Sequence, residues 1–173
     1  MNDVKRRHPN VANLKEVEPQ GQEKGTRFGH LMRWLGMATG GRGIGCSWIE
    51  VPPGRTAFPL HYHCANEEAL FLLGGEGTLR IGKETVPLRQ GDYVTFPPGE
   101  EYAHQLTNTG KTPLEYLALS TLQTTEIVGY PESEKVGAAN YAFDSSGKPT
   151  VRFRALFRRS SQVTDYYDGE RVD

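Results

Sequence analysis

Apolar residues fall along the chain in short runs, each ended by Gly, Pro or a polar pair. In extended backbone successive side chains point to opposite faces, so short alternating runs between turn signals read as strands. Ile44–Val51 shows the pattern well, with Ile44, Cys46 and Trp48 on one face and Ile49 and Val51 on the other. Phe28–Leu35 precedes it across the flexible turn Gly40-Gly41-Arg42-Gly43. Pro52-Pro53-Gly54 then breaks the chain before a short extended piece carrying His61 and His63. Ala69–Leu73 is apolar on both faces and reads as a buried strand. Thr78–Ile81 and Glu84–Leu88 form a hairpin about Gly82-Lys83, and Tyr93–Phe96 follows the turn Gln90-Gly91-Asp92. Beyond Pro97-Pro98-Gly99 come Ala103–Thr107 and Leu114–Leu119, joined by the polar turn Asn108–Thr112.

Closely spaced short strands of this kind predict an all-β sandwich, jelly roll or barrel. No helix is expected in the core region, and only a weak helical signal lies near Pro131–Val136. The division that follows is an N-terminal arm over 1–25, a barrel over 26–143 and a C-terminal arm over 144–173. The first arm carries a short edge strand at Val11–Val17. In the last, Val151, Phe153, Leu156 and Phe157 are expected to pack on the barrel or on a second subunit.

Composition supports this picture. A chain of 173 residues with 20 Gly and 11 Pro suits one turn-rich domain that buries a real core. The net charge of −1 gives no reason to expect a nucleic-acid or membrane-surface binder. Arg152, Arg154, Arg158 and Arg159 are locally basic, but Asp165, Asp168, Glu170 and Asp173 follow and dilute their field. Cys46 and Cys64 make no disulfide framework. The polar N-terminus has no signal-peptide core, and no run approaches the ~20 apolar residues of a membrane helix. The expected location is the cytoplasm, with both thiols reduced.

The chemistry lies in the histidines. His61 and His63 are two apart, so a strand turns both imidazoles to one face. Glu67 and Glu68 follow at the mouth of an apolar strand, and His104 sits on a later strand past a Pro-Gly turn. Three imidazoles and one carboxylate make a mixed nitrogen and oxygen site that suits Fe(II), Mn(II), Zn(II), Ni(II) or Cu(II). Either glutamate meets this requirement.

These residues resemble a known family. Gly54, His61-Tyr62-His63, Glu68 and Gly75 are similar to the first cupin motif, and Gly91, Pro97, Gly99, His104 and Asn108 to the second. The resemblance extends over most of residues 28–120 and is nearest to the small bacterial single-domain cupins of the cupin-2 type, most of which have no assigned activity. It implies a double-stranded β-helix barrel with one divalent metal ion near one end. The implied ligands are His61, His63, Glu68 and His104, and choosing Glu68 over Glu67 places Gly75 at the expected turn. The gap from Gly54 to His61 is one residue longer than the family's, and that from Gly99 to His104 is two longer.

Four protein ligands on a six-coordinate ion leave about two positions for water, substrate or O₂. The expected function is a metalloenzyme acting on a small organic substrate, an oxygenase or a sugar-type isomerase. A binding or sensing module for a small ligand is the alternative, and a storage role has no use for an open ion site. Glu101 and Tyr102, on the longer turn beside His104, are the candidate catalytic residues. Tyr62 points away from the His pair and is read as packing. Trp34, Trp48, Phe58 and Phe71 are read as core, and Cys64 as a small buried residue. Unpaired edge strands invite partners, so a homodimer is expected.

Overall fold

A computed structural model of the chain describes residues 8–144, 149–158 and 171. Its strands are β1 (Gln20–Lys24), β2 (Phe28–Arg33), β3 (Ile44–Val51), β4 (Tyr62–His63), β5 (Glu68–Gly74), β6 (Glu76–Ile81), β7 (Glu84–Arg89), β8 (Tyr93–Phe96), β9 (His104–Thr107), β10 (Leu114–Thr121), β11 (Thr125–Tyr130), β12 (Lys135–Phe143) and β13 (Pro149–Arg158). A four-residue helix α1 (Leu35–Ala38) follows β2.

All strand pairs are antiparallel. One sheet runs β1-β2-β3-β10-β5-β8, a second β13-β12-β11-β4 and a third β7-β6-β9. An isolated bridge between His61 and His104 joins the last two into one wall. Ile49, Val51, Leu70, Leu72 and Leu114 of the large sheet meet Leu79, Leu88 and Leu106 of that wall in a single buried cluster. This is the double-stranded β-helix, and the sheets exist because alternation places those residues inward.

Several elements differ from the sequence reading. Val11–Val17 holds no strand; Leu14–Glu16 is a 3₁₀ turn, capped by the Asn13 side chain, which accepts from the Lys15 N–H at 2.9 Å. The edge strand is β1 instead, entirely polar and exposed, so its pattern carried no hydrophobic signal. β2 ends at Arg33 and Leu35 opens α1. Near Pro131 the chain makes one 3₁₀ turn, after which Glu134 adopts φ 49° and starts β12. Within β5 only one face is fully buried: Leu70 and Leu72 point inward while Phe71 stays 38% exposed. Trp34 is also exposed, whereas Trp48 is core. Part of each expected arm, including Arg159 and the acidic residues after it, lies outside the described residues.

Two turns hold together the end of the barrel away from the histidines. Gly75 has φ +78°, and a Cβ there would lie 2.5 Å from the Pro113 carbonyl oxygen, so only glycine fits. Asn108, fully buried, donates to the carbonyls of Val51 and Thr112 at 2.7 and 2.8 Å and accepts from the Gly110 N–H at 2.9 Å. Its side chain thus ties the end of β3 to the β9–β10 turn, as an amide in a turn is suited to do.

Candidate metal centre

His61 and His104 face each other across main chains that exchange hydrogen bonds in both directions, at 3.2 and 2.8 Å. Each imidazole sends its Nδ1–H to the carbonyl two residues earlier, His61 to Pro59 at 2.9 Å and His104 to Tyr102 at 3.1 Å. A carbonyl only accepts, so in the neutral ring Nδ1 carries the proton and Nε2 presents its lone pair. Phe96 stacks on the His104 ring at 3.7 Å between centroids and fixes its plane.

Glu68, the first residue of β5, reaches into this space. Its Oε2 lies 3.9 Å from His61 Nε2, 3.3 Å from His63 Nε2 and 3.3 Å from His104 Nε2. Ligands at about 2.1 Å from one ion stand about 3.0 Å apart when adjacent and about 4.2 Å apart when opposite. The separations from Glu68 fall within that range, as ligands of a single cation require. His61, Glu68 and His104 offer donor atoms that all lie within 4.8 Å of one another. His63 lies outside that group and meets it through Glu68. Glu67 faces solvent, and its N–H is taken by the Thr121 hydroxyl at 3.0 Å, so Glu68 is the glutamate at the cluster.

Electrostatics match this arrangement. Burial, aided by the neighbouring His104, pushes the His61 pKa down to about 4 despite the opposing pull of Glu68. For Glu68 burial acts upward, but a hydrogen bond from His104 and the positive charge that His63, His61 and His104 carry when protonated outweigh it and hold the carboxyl below its ordinary value. A neutral imidazole beside an ionised carboxylate is the state that binds a divalent ion.

His61, Glu68 and His104 sit in a cleft of roughly 80 Å³ that opens to solvent. Phe58, Leu70, Phe96 and Leu106 give it apolar walls, and Gln105 and Tyr116 add polar atoms. A small-molecule site has this composition. Burial first, then the charge of Glu68, raises the Tyr116 pKa far above that of a free phenol, so it remains a hydrogen-bond donor.

Glu101 and Tyr102 are not among the walls of the cleft. They form a 3₁₀ turn in which Glu101 folds its carboxylate over Gly99. Tyr102 serves His104 through its carbonyl. Phe58 lines the cleft rather than the closed core, and Cys64 is exposed, contrary to its reading as a buried residue. Tyr62 does pack: its ring lies over Gly129, where a Cβ would come within 2.3 Å.

Sequence reasoning missed Glu126. It is buried at 6% exposure and accepts from the N–H groups of Cys64, Ala65, Asn66 and Ile127 at 2.8–3.1 Å. The available signal was a charged residue on the same face as Val128 and Tyr130, in a run that is otherwise strand-forming.

Comparison with known proteins agrees with the geometry. The sequence profile of the cupin domain matches residues 47–120. An oxalate-binding protein of Thermotoga maritima is 36% identical over 74 residues, 43% of this chain and 59% of that protein. An uncharacterized protein of Methanocaldococcus jannaschii is 31% identical over 97 residues, 55% of this chain and 75% of its own. Among solved structures, a protein of Acidithiobacillus ferrooxidans provisionally named a sugar phosphate isomerase superposes with a TM-score of 0.68 and 26% identity, over 83% of this chain and 91% of that one. No helix of the described residues is long and apolar enough to cross a membrane. Matched in profile and topology, the chain belongs to the cupin superfamily as a small domain of the cupin-2 type.

Proposed function

We propose that the protein is a metal-dependent enzyme that isomerises a small sugar-type substrate within this cleft. The observation that carries the reading is the approach of three imidazole Nε2 atoms to one carboxylate oxygen, with His61, Glu68 and His104 lining a largely apolar cleft. His61, His63, Glu68 and His104 would hold the ion, of iron, manganese, zinc or nickel. Bound there, the metal would supply Lewis acidity toward a substrate carbonyl or enediol. The residues of the chain do the rest. The apolar walls exclude water and orient the carbon skeleton, and Tyr116 donates a hydrogen bond to a substrate oxygen. Glu101 and Tyr102, proposed from the sequence as acid or base, do not line the cleft. The Acidithiobacillus relative, aligned over most of both chains, supports this substrate class.

A second reading is favoured by the Thermotoga relative: capture of a small dicarboxylate without turnover. One experiment separates the two. Protein purified without a histidine tag and loaded in turn with each metal is incubated in D₂O with a panel of aldoses, ketoses and their phosphates. Isomerisation through an enediol exchanges the hydrogen on the carbon beside the carbonyl, seen by NMR, and EDTA should stop it. Oxalate that raises the melting temperature, with no exchange in any sugar, would favour capture. O₂ uptake would mark an oxygenase instead. The variant His61→Ala/His104→Ala should contain no stoichiometric metal by mass spectrometry. If it retains the ion, the metal centre lies elsewhere.

A further inference from the structure

We propose that Glu126 is a positioning residue of the metal centre, holding His63 in the tautomer that presents Nε2 to the ion; the inference rests on the ligand set proposed above. The three imidazoles are not held alike. His61 and His104 each spend Nδ1 on a main-chain carbonyl. His63 Nδ1 has no such carbonyl. Among the described residues it is the one buried side-chain polar atom without a hydrogen-bond partner. What faces it, at 3.4 Å, is Glu126 Oε2.

The acceptor capacity of Glu126 shows why this matters. Its Oε1 takes the N–H groups of Cys64, Ala65 and Ile127 at 3.1, 3.1 and 2.9 Å. Its Oε2 takes only the Asn66 N–H, at 2.8 Å, and so keeps a lone pair for the imidazole proton. The carboxylate therefore grips residues 64–66, directly after His63, and turns its remaining capacity to His63. Closing the 3.4 Å gap by a few tenths of an ångström completes a carboxylate–histidine–metal relay. An acceptor at Nδ1 keeps the proton there and leaves the Nε2 lone pair facing Glu68.

Glu126→Gln tests this with little change in shape. To keep its oxygen on the three crowded N–H groups, the glutamine must turn its NH₂ toward Asn66 N and His63 Nδ1. A donor at Nδ1 forces His63 into the Nε2–H tautomer, which has no lone pair for a metal. Long-range ¹H–¹⁵N correlation of metal-free protein at pH 8 reads the tautomer of each histidine directly. His63 should be Nδ1–H in the wild type and shift to Nε2–H in Glu126→Gln, with His61 and His104 unmoved. Zinc affinity from competition with a chromogenic chelator should fall about 10- to 100-fold. If the variant keeps the Nδ1–H tautomer and full affinity, the proposal is overturned. If the variant does not fold, the wild-type spectrum decides, since an Nε2–H His63 there also overturns it. A wild type that holds Nδ1–H at His63 yet binds no metal would sink the ligand set while leaving the tautomer assignment standing.

Discussion

The middle of the large sheet and the outer hairpin β12–β13 are both long antiparallel ladders, yet they bury very different amounts. In β3, β5 and β10 the inward residues Val51, Leu72 and Leu114 are fully buried. β12 is only half-buried throughout, and in β13 Val151, Phe153, Leu156 and Phe157 are 48–60% exposed. Pairing satisfies main-chain groups, but it does not by itself remove side chains from water. The second sheet also turns its faces the unexpected way. The face with Glu126 and Tyr130 looks toward the imidazoles, Tyr130 stacking on His61 at 6.2 Å. The opposite face carries Ile127, Val136, Ala138, Phe153 and Phe157, in register across three strands and partly or largely exposed.

If this contrast is real, stability should track burial and not hydrogen-bond count. Leu114→Ala should cost about 2–5 kcal/mol by urea denaturation, because it opens a cavity that the sheet cannot close. Phe153→Ala should stay within about 0.5 kcal/mol in a dilute sample. Equal costs would break the comparison. Asn108→Ala comes next. Two carbonyls and one N–H lose their partner in a fully buried position, and a loss of about 1–3 kcal/mol is expected in the same assay.

The smallest effect on stability, and the sharpest on assembly, concerns the exposed apolar face. We propose that the homodimer expected from edge-strand pairing covers it. Phe153→Glu/Phe157→Glu should then give a monomer by light scattering at micromolar concentration, with an unchanged circular dichroism spectrum. A wild type that is already monomeric would remove the dimer and leave the face unexplained.

The same contrast shows what the sequence could disclose. β3 and β8 run where alternation placed them, Ile44–Val51 and Tyr93–Phe96, and the β6–β7 hairpin turns at Gly82-Lys83 as read. There, Ile49, Val51, Leu79, Leu88 and Phe96 point inward and the period speaks for itself. The β11–β12–β13 sheet defeats that rule. A glutamate is inside, isoleucine and phenylalanine are outside, and Pro131 between β11 and β12 mimics a helix start. Around the site, His-x-His on one strand was legible because a period of two needs no tertiary information. Glu126 was not, because its partners are main-chain N–H groups 60 to 62 positions earlier, apart from its own neighbour. Only the spacing to Gly75 implied by the cupin motif separated Glu68 from Glu67; a one-residue difference on a strand is a difference of face, and the pairing of β5 with β10 sets which one turns inward.

The reciprocal main-chain bonds between residues 61 and 104 have a wider consequence. They depend on atoms that every amino acid except proline possesses, so the separation of these two positions does not depend on histidine being there. The frame can therefore exchange a nitrogen donor for sulfur or oxygen without moving the anchor points. A barrel of this design would keep its architecture while single substitutions changed the donor atoms that it presents.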